Sequence, residues 1–208
     1  MFPGGDVGGS SKIDFVGAFE KGWTIYKANL KKLVLWGVLL ASPQLFFALN
    51  LTAGFITTFV LEGFFMVLLA NAIVHAVNNT SPDIFNPKAA IFFIKNGVLL
   101  SIVLFPLLTL ASVILVVPAV LLFSAFMFSF FLIAEKRSSS IDSMMASMQM
   151  SKGNRIPLFL FSAVFFFAVI LCSVSLGIFL PLGFVLFSGV LPYLFCVIYQ
   201  FYRDLENK

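Results

Sequence analysis

Long apolar runs alternate along the chain with shorter segments that carry nearly all of the charge. The runs cover about residues 33–77, 97–134 and 156–202. A transmembrane helix needs ~20 apolar residues to cross a hydrocarbon core ~30 Å thick, so each run is long enough to cross a bilayer twice. The pattern predicts an all-α integral membrane protein with six transmembrane helices arranged as three hairpins.

Turn-forming residues near the middle of each run divide it into two spans. We expect these uncharged turns near residues 44–53, 112–118 and 177–183. The predicted spans cover about residues 33–50, 54–76, 97–114, 117–134, 156–176 and 183–202. The middle run has only 38 residues for two crossings, so a bent or re-entrant pair is the alternative there.

A shorter amphipathic segment precedes each hairpin. The first, from Ser11 to Lys32, has apolar residues every three or four positions and Trp and Lys at its flanks, which is typical of a helix lying in the headgroup plane. Each segment starts near a serine and an aspartate and ends near a lysine and an asparagine, with Asp-to-Asn separations of 15, 13 and 12 residues. The pairs are Asp14 and Asn29, Asp83 and Asn96, and Asp142 and Asn154. The sequence therefore predicts one repeated unit, an interfacial helix followed by a hairpin, three times within a single domain at 11–208.

The distribution of basic residues predicts the orientation. All 13 Lys and Arg residues fall in the segments between the runs or near the chain ends, and basic residues mark the cytoplasmic side of a membrane. Both termini are therefore predicted to be cytoplasmic, with the glycine-rich residues 1–10 as a disordered tail. We expect a multi-pass protein of the bacterial cytoplasmic membrane.

Composition supports a membrane location. The chain is 61% hydrophobic and 11% charged, whereas soluble domains average ~45–50% apolar and ~25% charged residues. The formal charge of +4 then indicates contacts with anionic lipid headgroups, and no nucleic-acid partner is expected. The candidate headgroup or partner contacts lie around the third amphipathic segment and are Lys136, Arg137, Lys152 and Arg155. Methionines in the same segment, Met144, Met145, Met148 and Met150, suit packing on lipid or on a partner protein.

Residues 126–165 contain a short motif between the fourth and fifth predicted spans. Ser147 precedes Lys152-Gly153-Asn154-Arg155, and an apolar span follows. This stretch resembles the glycerophosphoryl diester phosphodiesterase membrane-domain family and its uncharacterised six-span bacterial relatives. The N-terminal residues Ala18, Gly22, Trp23 and Asn29 are also similar to the opening helix of that family. The resemblance implies the six-span fold but no catalytic residue, because in the phosphodiesterase members the chemistry is assigned to a separate soluble barrel.

Glu62 is the one charged residue of 22 (13 basic and nine acidic) that lies inside an apolar run. Placing an ionised residue at a helix centre costs ~2.5–3.5 kcal/mol, so such residues usually face a bundle interior or water. Two interpretations stay open. One is an ion- or proton-linked site, and the other is a structural role, either a hydrogen bond to another helix or an extension of the side chain towards the near interface. Asn71 and His75 follow on the same predicted helix at offsets of nine and 13 residues, which places them roughly 180° and 220° around the helix from Glu62.

Small residues predict two close helix contacts, at Gly37-x-x-x-Ala41 and at Ser173-x-x-x-Gly177. The two cysteines, Cys172 and Cys196, lie inside predicted spans and are expected to be small buried residues. The sequence contains no Gly-rich phosphate loop, no zinc-type His pair and no Gly-x-Ser-x-Gly elbow. We therefore expect no catalytic, cofactor or metal site.

These observations favour a non-enzymatic membrane protein that acts as a scaffold, accessory or regulatory subunit of a membrane complex, with a membrane-protein partner or as a homo-oligomer. The alternative is a small oligomeric transporter or channel with Glu62 on its path. An intramembrane enzyme is the third interpretation.

Overall fold

The protein is built from α-helices. The computed structural model describes residues 13–80, 82, 86–114, 116–135 and 138–206, with the backbone alone described at 45–49, 51, 53, 55, 58, 59 and 114. Over these residues it is 89% helix and has no strand. The helices are α1 (Phe15–Ala28), α2 (Leu30–Leu49), α3 (Leu51–Val77), α4 (Pro87–Ile114), α5 (Val116–Phe126), α6 (Ser129–Ala134), α7 (Ser140–Met150), α8 (Arg155–Ile178) and α9 (Leu180–Glu206).

Within the described residues, five helical segments are long and apolar enough to cross a membrane. They are Val60–Val77 in α3, Pro87–Val113 in α4, Val116–Ala134 across α5 and α6, Arg155–Ile178 in α8 and Leu180–Glu206 in α9. These segments mark the chain as a multi-pass membrane protein. The first predicted span corresponds to α2, a helix of 20 residues that packs against α3 and α9.

The spans divide into an inner and an outer set. The segments in α3, α5–α6 and α9 each have 61% of their residues buried, whereas those in α4 and α8 have 33% and 28%. The helices close into a ring in the order α2, α3, α4, α5, α8 and α9, and α9 contacts α2 again. In each predicted hairpin the second helix is therefore an inner one, which is the arrangement that a threefold repeat would produce.

The turns between paired helices are very short. A single residue, Asn50, separates α2 from α3, and Phe179 separates α8 from α9. The side chain of Asn50 stabilises its turn because Oδ1 accepts a hydrogen bond from the backbone N–H of Thr52 at 2.9 Å. The first turn was predicted near residues 44–53, but α2 continues through Pro43 to Leu49.

The first amphipathic segment forms α1, as expected. Its cap is Asp14, whose Oδ1 accepts from the backbone N–H of Gly17 at 3.0 Å. α1 runs antiparallel to the C-terminal half of α9, since Phe15 stacks near Phe201 and Tyr26 lies against Tyr193, each pair 6.0 Å apart between ring centroids. Part of the amphipathic face of α1 is therefore used for packing on the bundle.

The second amphipathic segment does not form a helix of its own, contrary to our prediction. The part around Lys95 and Asn96 belongs to α4, which continues unbroken for 28 residues. The Nδ2 of Asn96 donates to the carbonyl oxygen of Phe92 at 2.9 Å within the same helix, so this asparagine does not end it. The predicted helix start at Ser81 and Asp83 lies outside the described residues.

The third amphipathic segment forms α7, which packs across a break in the fourth predicted span. α5 ends at Phe126 and α6 begins at Ser129, so backbone groups near this break lack their usual helical partners. The hydroxyl of Ser147 on α7 accepts from the N–H of Phe128 at 3.2 Å and donates to the carbonyl oxygen of Ala125 at 2.7 Å. Backbone groups inside a protein need hydrogen-bond partners, and Ser147 of α7 supplies them for Phe128 and Ala125.

Candidate functional site

Glu62 faces the interior of the bundle. Only 3% of the residue is exposed, and its Oε2 accepts a hydrogen bond from Nε2 of Gln44 on α2 at 3.2 Å. Its other carboxyl oxygen, Oε1, has no hydrogen-bond partner among the described residues. The carboxyl group is therefore held in place through one oxygen, and the second oxygen can accept from another donor.

A cavity of about 280 Å³ lies beside the Glu62 carboxyl group. Its lining includes residues of α2, α3, α4, α5, α6, α8 and α9. Six phenylalanines contribute to the wall, namely Phe105, Phe123, Phe130, Phe165, Phe166 and Phe187. The volume is close to the lower end of the ~300–1,000 Å³ range of small-molecule sites, which combine apolar walls with a few placed polar groups.

The cavity opens between the two outer helices α4 and α8. Thr109 and Ser112 on α4 and Ser173 on α8 line it, and all three are exposed. They contribute hydroxyl groups to the opening, while Glu62 and Gln44 are the polar groups deeper inside. The site thus has a hydroxyl-bearing opening, an aromatic wall and an acid with one free acceptor oxygen.

The orientation of Glu62 depends on the next residue in α3. The backbone N–H of Gly63 donates to Oγ of Ser101 on α4 at 2.9 Å. A side chain at Gly63 would meet the carbonyl oxygen of Gly97, and one at Gly97 would meet the backbone of Phe64. Because small residues let α3 and α4 approach this closely, α3 cannot rotate freely and Glu62 stays directed at the cavity.

Sequence reasoning missed two parts of this arrangement. Gln44 was interpreted only as a turn residue, and nothing in the chain indicates which residue of α3 it would face. Gly97-x-x-x-Ser101 is a small-residue motif of the kind that predicts close helix contacts, and it could have been recognised. Of the two motifs we did predict, Gly37-x-x-x-Ala41 packs on Ser188 of α9, whereas Gly177 faces open space.

Asn71 and His75 do not join Glu62 in one site. The Nδ2 of Asn71 donates to the backbone carbonyl oxygen of Ala134 on α6 at 3.1 Å. His75 shares a hydrogen bond of 2.5 Å between its Nδ1 and Oγ1 of Thr80, just beyond the end of α3. Neither residue lines the cavity, so the candidate polar site reduces to Glu62 with Gln44.

The basic candidates lie around α7. Lys152 and Arg155 are exposed, whereas Lys136 and Arg137 lie outside the described residues. Between the first two, Gly153 adopts a φ of +90°, which L side chains rarely adopt. Asn154 then accepts a hydrogen bond through Oδ1 from the backbone N–H of Ile13 at 3.3 Å. In this motif the glycine and the asparagine have structural roles and the two cations remain on the surface.

The methionine cluster is divided between two faces of α7. Met144 and Met150 are partly buried and pack against the core, while Met145 and Met148 are exposed. The serines of α7 point the opposite way, towards the bundle, as shown by the Ser140 hydroxyl that donates to the carbonyl oxygen of Asn96 at 2.7 Å. Surface contacts of α7 are therefore limited to its exposed apolar and charged side chains.

The two cysteines, Cys172 and Cys196, are free and buried, in agreement with their prediction as small buried residues. In the part of the chain that the structure describes, no group of three or more His, Cys, Asp or Glu residues could hold a metal ion. Comparison with family models, curated proteins and solved structures returned no match to this chain. The cavity and the residues around it are therefore the features that bear on function.

Proposed function

We propose that this chain is a small, non-enzymatic transporter that binds its substrate within the helical bundle, with Glu62 on the path. The observation that supports this proposal is the position of the Glu62 carboxyl group, which lines a cavity in the bundle and has one oxygen without a hydrogen-bond partner among the described residues. A carboxyl group with a purely structural role needs a partner helix but no adjoining space. Ionisable residues inside membrane proteins commonly mark substrate or proton pathways.

Flux measurements test the role of Glu62. Purified protein is reconstituted into vesicles containing a pH-sensitive dye, and proton entry is followed after a pH gradient is applied. We expect Glu62→Gln to lower the rate by about tenfold or more, because the amide cannot exchange a proton. Ser175→Ala on the exposed end of α8 is the control, since its hydroxyl only donates to the carbonyl oxygen of Leu171 in its own helix. Equal rates for wild type and Glu62→Gln would refute a proton-linked path through Glu62.

We further propose six spans as three hairpins, both termini in the cytoplasm of a bacterial cell, and interfacial positions for α1 and α7. Support comes from α2, which occupies its own place in the ring of helices. Further support comes from the basic residues, since Lys152 and Arg155 lie where α7 meets α8 and Lys95 lies in the first third of α4. These exposed cations suit anionic headgroups of the inner leaflet.

Cysteine labelling tests the orientation in cells. With the native cysteines replaced by alanine, single cysteines are placed at Gly177 and at Lys95, both of which are exposed. We expect a membrane-impermeant maleimide to label Gly177→Cys in intact cells and Lys95→Cys only after permeabilisation. Labelling of both in intact cells would contradict the proposed topology.

A scaffold or accessory role is the second candidate, supported by the exposed apolar side chains of α7. Ile141, Met145 and Met148 are 55%, 52% and 42% exposed, and α7 is not one of the candidate spans. If a partner subunit covers them, replacing all three with serine should dissociate a complex seen by native electrophoresis of detergent-solubilised membranes. An identical single-protein band for wild type and variant would speak against this role.

A further inference from the structure

The wall of the Glu62 cavity is formed largely by stacked aromatic rings. Phe123 stacks on Phe165 with centroids 4.6 Å apart and meets Phe166 edge-on at 5.6 Å. Apolar walls favour apolar guests, and among the described residues the polar groups of this cavity are limited to Glu62, Gln44 and the hydroxyl groups at its opening. The wall therefore favours a hydrocarbon chain over a hydrated ion as the occupant.

The opening of the cavity lies on the lipid-facing side of the bundle. Thr109 and Ser173 line it, and the residues that follow them, Leu110 and Val174, are 62% and 53% exposed. Exposed apolar residues on outer helices are the surface that a bilayer would cover. A molecule already dissolved in the membrane could enter between α4 and α8 without crossing water.

The size and polarity of the interior restrict the class of molecule further. The volume of about 280 Å³ is close to the lower end of the range of small-molecule sites, so it suits a small head and the adjoining part of one chain. The free Oε1 of Glu62 needs a hydrogen-bond donor, since unpaired polar groups in an apolar environment are costly. A head with a hydroxyl group would satisfy it, whereas a carboxylate has no donor hydrogen to offer.

We propose that the cavity binds one single-chain amphiphile taken from the bilayer, with a hydroxyl head that donates to Glu62 and a chain that lies against the phenylalanine wall and leaves between α4 and α8. This inference deepens the proposed function by naming the substrate class of the same site. Its test is binding rather than flux, so that the two proposals can fail separately.

Photolabelling provides the test. Wild-type protein in phosphatidylcholine vesicles is irradiated with hexadecan-1-ol that carries a diazirine near its hydroxyl group, and the labelled peptides are mapped by mass spectrometry. We expect labels on cavity residues such as Met66 and Phe130, competition by unlabelled hexadecan-1-ol, and no competition by hexadecane or by hexadecanoate. Glu62→Leu should reduce this labelling by about tenfold, as expected when a buried hydrogen bond is lost.

A pair of variants on one helix tests the opening. Ser173→Trp places an indole in the opening, while Val174→Trp places the same group on the neighbouring lipid-facing position. Both positions are exposed, so neither substitution should disturb the core. We expect Ser173→Trp to lower the rate of labelling at least severalfold and Val174→Trp to leave it unchanged.

Several results would overturn this inference. Labels confined to lipid-facing residues, equal competition by hexadecane, or unchanged labelling in Glu62→Leu would each exclude a hydroxyl head bound at Glu62. Equal effects of the two tryptophan variants would exclude entry between α4 and α8. If labelling fails while Glu62→Gln still abolishes proton flux, the transporter proposal stands without this substrate class.

Discussion

The amide of Asn71 donates a hydrogen bond to the backbone carbonyl oxygen of Ala134 across 3.1 Å, and this bond joins the C-terminal part of the inner helix α3 to the last residue of α6. Carbonyl groups in the last turn of a helix have no partner within that helix. Asn71 is 1% exposed, so the donor to this carbonyl oxygen is the buried amide and not water. The residue that sequence analysis grouped with Glu62 therefore has a structural role at the opposite end of α3.

Removing the Asn71 amide should destabilise the bundle. We expect Asn71→Leu to lower the free energy of unfolding by ~1–3 kcal/mol, because the substitution removes the donor and leaves a buried carbonyl unpaired. Thermal unfolding of the purified protein in detergent measures the change. His75→Leu on the partly exposed end of the same helix is the matched control, and it should have a smaller effect. Equal losses for the two variants would show that the bond to Ala134 has no special importance.

The positions of two spans could be predicted closely because they depend on a local pattern, whereas α4 begins ten residues before the predicted start at 97. The predicted boundaries at 54–76 and 156–176 lie within three residues of the ends of α3 and α8, since apolar length alone determines them. Glu62 could also be identified from the sequence, because it is the single charged residue within an apolar run. Its hydrogen bond to Gln44 was not, because that contact depends on how α2 and α3 are rotated and shifted against each other.

The break between α5 and α6 shows a second limit of sequence reasoning. Residues 127 and 128 are Met and Phe, neither of which interrupts a helix by its own backbone preference. What permits the break is a hydroxyl from another helix, that of Ser147, which lies 19 residues away from Phe128. A bent middle pair was considered from the shortness of the run, but its location could not be derived from local propensity.

Loss of the Ser147 hydroxyl should lower the stability of the protein at the break between α5 and α6. Ser147→Ala leaves the N–H of Phe128 and the carbonyl oxygen of Ala125 without this partner, so we expect ~1–3 kcal/mol of destabilisation. Ser175→Ala is a fitting control because that hydroxyl bonds only within its own exposed helix. Denaturation in increasing dodecyl sulfate, followed by circular dichroism, gives both values. A Ser147→Ala protein as stable as the control would mean that the break has another source of stability.

Gly37 and Gly177 offer a direct test of which predicted helix contact is real. A Cβ at Gly37 would meet the backbone carbonyl of Ser188 and the ring of Pro192, whereas one at Gly177 would meet nothing within 4 Å. We expect Gly37→Leu to cost ~1–3 kcal/mol through overpacking between α2 and α9. Gly177→Leu should be neutral or slightly stabilising because glycine is a poor helix former. The melting temperatures of the two variants test this prediction. A lower melting temperature for Gly177→Leu alone would mean that Gly177, and not Gly37, lies at a close helix contact.

A side chain at Gly153 should destabilise the turn through backbone strain rather than through a steric clash. Nothing lies within 4 Å of a Cβ built there, yet its φ is +90°, a conformation that costs L residues ~1–2 kcal/mol. We expect Gly153→Val to destabilise the protein by about that amount and Gly153→Asn by less, since asparagine tolerates positive φ better. The same strain should displace Asn154 from Ile13 and speed amide exchange at the start of α1, measured by hydrogen–deuterium exchange. Lys152→Val, at an exposed position next to Gly153, is the control. If both valine substitutions change the exchange rate equally, surface polarity and not backbone conformation determines the stability of this turn.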